Sequence, residues 1–315
     1  MESTSDLQDV RVVHFGLGPL GAAMARGVAE RDGLVSVAAI DASPAREGYD
    51  LGEVLGLGRT TGVLVDSSGN RLHDIEADVV LFAPDGDLDA AMSDLELLLE
   101  VGLNVVTVMP ELAYPPDDHG DDDLAVSIDT LAREAEVTVL ALDYSDGLLG
   151  TLPLVLTGAC SSVERMTVRV QGVTSLNGRL SLADWARGLG IALGWNFDDL
   201  DETEEAAAGQ LRGHHRIVGT VDGHDTLIVD IAAAEAGDAP TLTVEIQGTP
   251  SLTLTVTGGG DADQAVATLA VNAIPAALTG DPGLYTLADL PPVHSWTSLG
   301  LMHADHDDED EADDD

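Results

Sequence analysis

The chain contains no lysine: all 13 of its basic residues are arginine. That absence excludes a Schiff-base lysine, a lysine general acid and a lysine clamp on phosphate. A single cysteine, Cys160, leaves no partner for an internal disulfide. It follows the apolar run 152–159, where a buried, inert thiol is expected rather than a nucleophile. No stretch reaches the ~18 unbroken apolar residues of a membrane span. The opening residues Met1 to Asp6 are polar and acidic, without the basic and apolar regions of a signal peptide. A cytoplasmic protein with no membrane partner is expected. Clustered basic residues are also missing, which argues against a nucleic-acid partner, since phosphate contacts need them. Neither a zinc spacing nor a nucleophile elbow occurs. His303 and His306 lie in an acidic run that reads as solvated tail, so no metal site is expected.

What the chain has in excess is acid. There are 57 acidic residues against 13 basic ones, a formal charge of −44, on a chain whose apolar content of 44% is ordinary. The acids are spread along the sequence, unlike those of a nucleic-acid mimic gathered in one block. Such a charge drives self-repulsion, which molar salt removes by shrinking the Debye length to about 3 Å. The composition therefore reads as salt-adapted.

At 315 residues, more than one domain is expected. Apolar runs at 11–16, 35–40, 77–83, 104–109 and 137–142 alternate with helical segments at 88–101 and 121–136. Near-continuous apolar strands separated by helices predict an α/β fold, a doubly wound parallel sheet of Rossmann type, over residues 1–150. The texture then changes. Val163–Val173 alternates like a strand, Asp222-Gly223 reads as a tight hairpin turn, and Gly248-Thr249-Pro250 separates two further strands. A second, mostly antiparallel α+β domain is expected over 151–260, for substrate or oligomer contacts. A helix at 262–278 opens a segment, 261–302, that returns to the first domain. The tail 303–315 is expected to be disordered. His214 and His215 read as strand residues of the second domain, and His14 as a packed, hydrogen-bonded side chain inside the first strand.

Gly16-Leu17-Gly18-Pro19-Leu20-Gly21 follows the first apolar run and precedes a good helix former. In a Gly-x-Gly-x-x-Gly turn, the first glycine allows a sharp exit from the strand. The second lets backbone approach a pyrophosphate, and the third lets the helix pack on the sheet. The helix start, with Pro19 and Leu20, then offers unpaired amides and a positive dipole end. Asp41 ends the second strand about 20 residues on, the spacing of an acid that binds adenosine ribose hydroxyls. A carboxylate there repels a 2′-phosphate and favours NAD. Arg46, five residues later, keeps NADP open.

Further marks are Ala39-Ile40-Asp41, the run 50–58, Gly102-Leu103-Asn104-Val105-Val106-Thr107 and Glu111-Leu112-Ala113-Tyr114-Pro115. The runs Thr151-Leu152-Pro153-Leu154 and Val271-Asn272-Ala273-Ile274-Pro275 complete the set. In this order they resemble the dihydrodipicolinate reductase-like superfamily, most of all the branch of 2,4-diaminopentanoate dehydrogenase and related NAD(P)-dependent amine dehydrogenases. The resemblance implies hydride transfer between a nicotinamide and a small amine or imine, or its carbonyl counterpart. It also implies that Glu111 holds the substrate ammonium and moves its proton. The chemistry stands independently, because a carboxylate after a strand at the carboxyl edge of the sheet can pair with R–NH₃⁺. Asp143 is a second acid with two readings, joining Glu111 in a carboxylate pair or capping local backbone. Where the family carries an Asn-Pro-Gly turn, Tyr144-Ser145-Asp146-Gly147 stands here. That departure keeps a second function class open, a nucleotide-sensing or scaffold protein without catalysis. A homodimer or larger homo-oligomer is the expected assembly.

The charge reading makes a direct prediction. Unfolding midpoints should rise steeply with KCl, and a midpoint unchanged between dilute buffer and molar KCl would remove the salt-adapted reading.

Overall fold

The structure is a computed structural model that describes residues 9–113, 124–143, 149, 152–173, 182–206, 213–233, 240–258 and 262–296. The first half runs β1 (Val10–Phe15), α1 (Pro19–Ala29), β2 (Leu34–Ile40), α2 (Leu51–Leu55), β3 (Val65–Asp66) and β4 (Val79–Phe82). It continues with α3 (Leu88–Glu100), β5 (Asn104–Val108), α4 (Pro110–Ala113), α5 (Leu124–Glu134) and β6 (Thr138–Leu142). Then come α6 (Leu152–Thr157), β7 (Ser162–Val173), α7 (Leu182–Leu193), β8 (Asp199–Ala206), β9 (Gly213–Val221) and β10 (His224–Ala233). The chain closes with β11 (Thr241–Thr249), β12 (Leu252–Thr257), α8 (Ala262–Thr279) and β13 (Gly283–Thr286).

The expected α/β fold is present. One sheet has the order β13-β6-β5-β4-β1-β2-β3, and its pairings are parallel. Strands buried on both faces carry apolar residues at successive positions, which is why these segments read as unbroken runs. On one face Val13, Phe15, Val80, Phe82 and Val105 pack against Leu95 and Leu98 of α3 and Ile128 of α5. On the other, Val12, Leu81, Val106 and Leu140 pack against Met24 of α1 and Ala270, Val271 and Ile274 of α8. A Cβ on Gly27 would lie only 3.2 Å from Val271 Cγ2, so α1 and α8 meet closely there. Asn272, within the Val-Asn-Ala-Ile-Pro motif, accepts a hydrogen bond from Arg31, and its carbonyl receives the Trp296 indole N–H at 3.2 Å.

The second sheet has the order β12-β11-β7-β10-β9-β8. It is mostly antiparallel, as expected, with one parallel pairing between β7 and β10. Its inward face, including Met166, Val168, Val170, Val229 and Val244, packs on Trp185, Ala186 and Leu189 of α7. Asp222-Gly223 does form the β9–β10 hairpin, with φ of 52° and 73°. Positive φ at both central residues is what a type I′ turn requires. His214 and His215 lie in β9 as read. Several elements escaped the sequence reading, β8 and α7 the longest of them. The acidic strand β8 sits at a sheet edge, where charge is tolerated. The helix α7 lacks a flanking signal strong enough to separate it from a loop. One reading needs correction: Cys160 is half-buried rather than buried, its thiol 3.4 Å from Pro250 O. It follows the short helix α6, which leaves it at the sheet margin.

His14 is almost fully buried in β1, with Nε2 2.8 Å from Ser36 Oγ. Burial holds its pKa down to about 4 against an ordinary 6.5. The folded protein therefore keeps the imidazole neutral while the unfolded chain takes up a proton. Stability is complete above pH 6.5 and falls as the pH drops toward 4, by roughly 3 kcal/mol in all. Denaturant midpoints for wild type and His14→Gln should diverge across this window, with wild type losing more. Parallel pH profiles would rule out His14 as the cause.

Candidate functional site

The site is built at the carboxyl ends of β1, β2, β4 and β5. Gly16 leaves β1 with φ of 84°, and a Cβ there would stand 2.0 Å from Ala83 O. A Cβ on Gly21 would stand 1.9 Å from Gly16 O. Both glycines are therefore required by the protein's own backbone. Gly18 differs, because a Cβ there would meet only Asp85 Oδ1, at an ordinary 3.5 Å. Among the described residues nothing requires glycine at 18, and the absence of a side chain leaves the backbone open to a ligand. Pro19 begins α1 with no N–H to lose. The first helical hydrogen bond runs from Ala22 N–H to Gly18 O at 2.8 Å. The amides of Leu20 and Gly21 precede it and are available to an anion. Leu20 contributes by backbone alone, since its side chain is buried in the core.

Asp41 ends β2, is 4% exposed, and turns toward the glycine loop. Its carboxylate accepts from Leu17 N–H at 2.7 Å, Ser43 N–H at 2.9 Å and Arg46 Nη1 at 2.8 Å. A carboxylate has about four acceptor positions. Asp41 is thus a clamp on the loop, with little capacity left for ribose hydroxyls, and its charge is paired with Arg46. The sequence spacing located the acid but not this engagement.

A cleft of about 280 Å³ opens beside the loop, lined by Gly18, Pro19, Gly21, Asp85, Met109 and Glu111 among others. Glu111 is exposed there, carried by α4 in the turn that follows β5. The structure thus brings Glu111 to the glycine loop, while Asp41 and Arg46 join the loop from its β2 side. Thr107 helps set the turn, its buried hydroxyl donating to Phe82 O at 3.0 Å. Asp143 is fully buried at the end of β6. Tyr114, Pro115 and the Ser145–Gly147 turn lie outside the described residues. Sequence reasoning missed Asp85 and Asp87, although their place after a central strand of a doubly wound sheet was a usable signal. Asp87 caps α3 by accepting from Ala90 N–H at 3.1 Å. Among the described residues no cluster of three or more metal-ligating side chains occurs, and no helix is long and apolar enough to cross a membrane.

Comparison with known proteins agrees with this architecture. Residues 224–304 match the family described as the 2,4-diaminopentanoate dehydrogenase C-terminal domain. The 2,4-diaminopentanoate dehydrogenase of Acetoanaerobium sticklandii is 24% identical over 343 residues, an alignment covering 90% of this chain and 94% of that protein. The amine dehydrogenase of Mycobacterium smegmatis superposes with a TM-score of 0.74 at 21% identity, covering 93% of this chain and 99% of that one. Dihydrodipicolinate reductase from Paenisporosarcina sp. TG-14, solved with dipicolinate, gives a TM-score of 0.56 at 14% identity, with 90% and 100% coverage. These structures share the fold. These matches bear out the chain's resemblance to the 2,4-diaminopentanoate dehydrogenase branch of the dihydrodipicolinate reductase-like superfamily.

Proposed function

We propose that the chain is an NAD(P)-dependent oxidoreductase acting on a small amine, or in reverse on the corresponding imine or carbonyl. The observation that carries this reading is Gly18, a glycine that no described residue requires, beside a cleft that also holds Glu111. The amides of Leu20 and Gly21 and the positive end of α1 receive the pyrophosphate. Asp41 keeps the loop in shape for it. Pairing with Arg46 weakens the repulsion that Asp41 would exert on a 2′-phosphate, so both NAD and NADP suit the site. The bound nicotinamide supplies the hydride acceptor, or the donor in the reverse direction. Glu111 pairs its carboxylate with the substrate ammonium and accepts a proton from nitrogen as the C=N bond forms. The similarity to a 2,4-diaminopentanoate dehydrogenase and to an amine dehydrogenase fold supports the same chemistry.

Two substitutions test the two halves of this reading. Gly18→Ala places its methyl group without a clash, so the protein should fold near wild-type stability yet bind NAD(P)H at least about tenfold more weakly. Unchanged cofactor affinity in that variant would move the dinucleotide elsewhere. Glu111→Gln keeps size and polarity but removes charge and basicity. In a nicotinamide absorbance assay with amines, and with ketones plus ammonia, its turnover should fall on the order of a hundredfold while cofactor affinity holds. Equal turnover in both proteins would discard the role of Glu111. Dinucleotide binding without turnover on any amine or carbonyl would favour a sensor or scaffold instead.

A further inference from the structure

The cleft beside the glycine loop has an unusual charge balance for a pyrophosphate site. Asp85, Asp87 and Glu111 line it, and no cationic side chain does so among the described residues. The arginines that flank the loop are engaged elsewhere: Arg46 with Asp41, and Arg26 with Leu55 O at 3.0 Å. The chain has no lysine to take their place. Among the described residues the remaining positive element is the α1 N-terminus, equivalent to about half a charge. Against it stand the two charges of a pyrophosphate and the nearby carboxylates.

Of the three acids, Asp85 lies where this matters most. Its Oδ1 is 3.5 Å from the point a Gly18 Cβ would occupy, which is the face where backbone must meet phosphate. Asp87 is turned to the start of α3, where it accepts from Ala90 N–H. Glu111 comes from a different segment, on α4 after β5. Asp85 is exposed and makes no hydrogen bond among the described residues. Among the described residues nothing therefore compensates its charge on the face turned to Gly18.

Resting on the dinucleotide reading above, we infer that Asp85 makes dinucleotide binding depend on cation concentration with a rising slope. An anion held by protein cations loses affinity as salt increases, because the salt competes for each attraction. Here the dominant charge interaction at the phosphate is repulsive, so salt cations gathering between carboxylate and phosphate relieve it. Affinity for NADH and NADPH rises with salt. Adenosine, which occupies part of the same site without phosphate, is indifferent to Asp85.

The experiment titrates the full chain with NADH and with adenosine between ~0.1 and ~1 M KCl, where the Debye length falls from about 10 to 3 Å. Circular dichroism sets the lower limit at a salt concentration where the chain is folded. Wild type should bind NADH several-fold more tightly at the upper limit. Asp85→Asn should bind it several-fold more tightly than wild type at the lower limit, lose most of the slope, and converge with wild type at high salt. A flat or falling slope in wild type overturns the inference and leaves the proposed function standing. So does a wild-type slope retained in Asp85→Asn, or an equal slope for adenosine, which would trace the effect to the fold rather than to phosphate. Absence of NADH binding at every salt concentration overturns both.

Discussion

Around Gly16, three backbone segments approach more closely than any side chain permits. The carbonyl of Ala83 lies where a Cβ of Gly16 would be, and the carbonyl of Gly16 lies where a Cβ of Gly21 would be. This packing sets the exit of β1, the entry of α1 and the end of β4 relative to one another. The hydrogen bond from Gly16 N–H to Ile40 O adds the end of β2. Asp41 then closes the arrangement by accepting from Leu17 N–H across 24 positions of sequence. Because α1 also packs on α8, the same turn governs how the chain's last long helix covers the sheet.

The scarce cations reinforce this frame at a few junctions. Arg11 grips Asp78 through Nε and Nη2 and so ties the start of β1 to the start of β4. Arg31 stacks over Trp296 and bonds Asn272, joining the end of α1 to α8 and the segment after β13. Arg133 and the Leu284 amide both bond Asp129, which holds β13 against α5 and draws its carboxyl below the usual range. Isolated surface ion pairs contribute little to stability. These instead combine charge with backbone partners or ring contact, so they also specify position.

Function follows from where strands end. In a parallel sheet the loops after the strands collect at one edge. The loops after β1, β4 and β5 supply Gly18, Asp85 and Glu111 to one cleft. Among the described residues the N-terminus of helix α1 is the positive element there, and Asp85 lies beside Gly18. The cleft therefore offers a ligand backbone geometry more than cationic side chains, consistent with a chain that has no lysine and few arginines.

Much of this was legible from residue order. Apolar runs such as Val79–Phe82 and Thr138–Leu142 announce buried parallel strands, because such strands need apolar side chains on both faces. The glycine spacing and the acid at 41 announce a dinucleotide turn, and Asp222-Gly223 announces a hairpin, because turn chemistry is local. The resemblance to the amine dehydrogenase branch was carried by motifs in their order, Asn272 among them. What the residue order could not convey depends on contacts between distant positions. The parallel pairing of β7 with β10, the acidic edge strand β8 and the addition of β13 beside β6 are of this kind. So is the state of Asp41: its spacing marks it as a ribose acid, but only the folded chain presents Leu17 N–H, Ser43 N–H and Arg46 to it at once. The same holds for Asp85, one acid among 57 by composition, which becomes distinct only because the end of β4 folds against Gly18. Periodicity and turn residues act within a few positions, whereas a carboxylate's partners are set by the three-dimensional path that brings strand ends together.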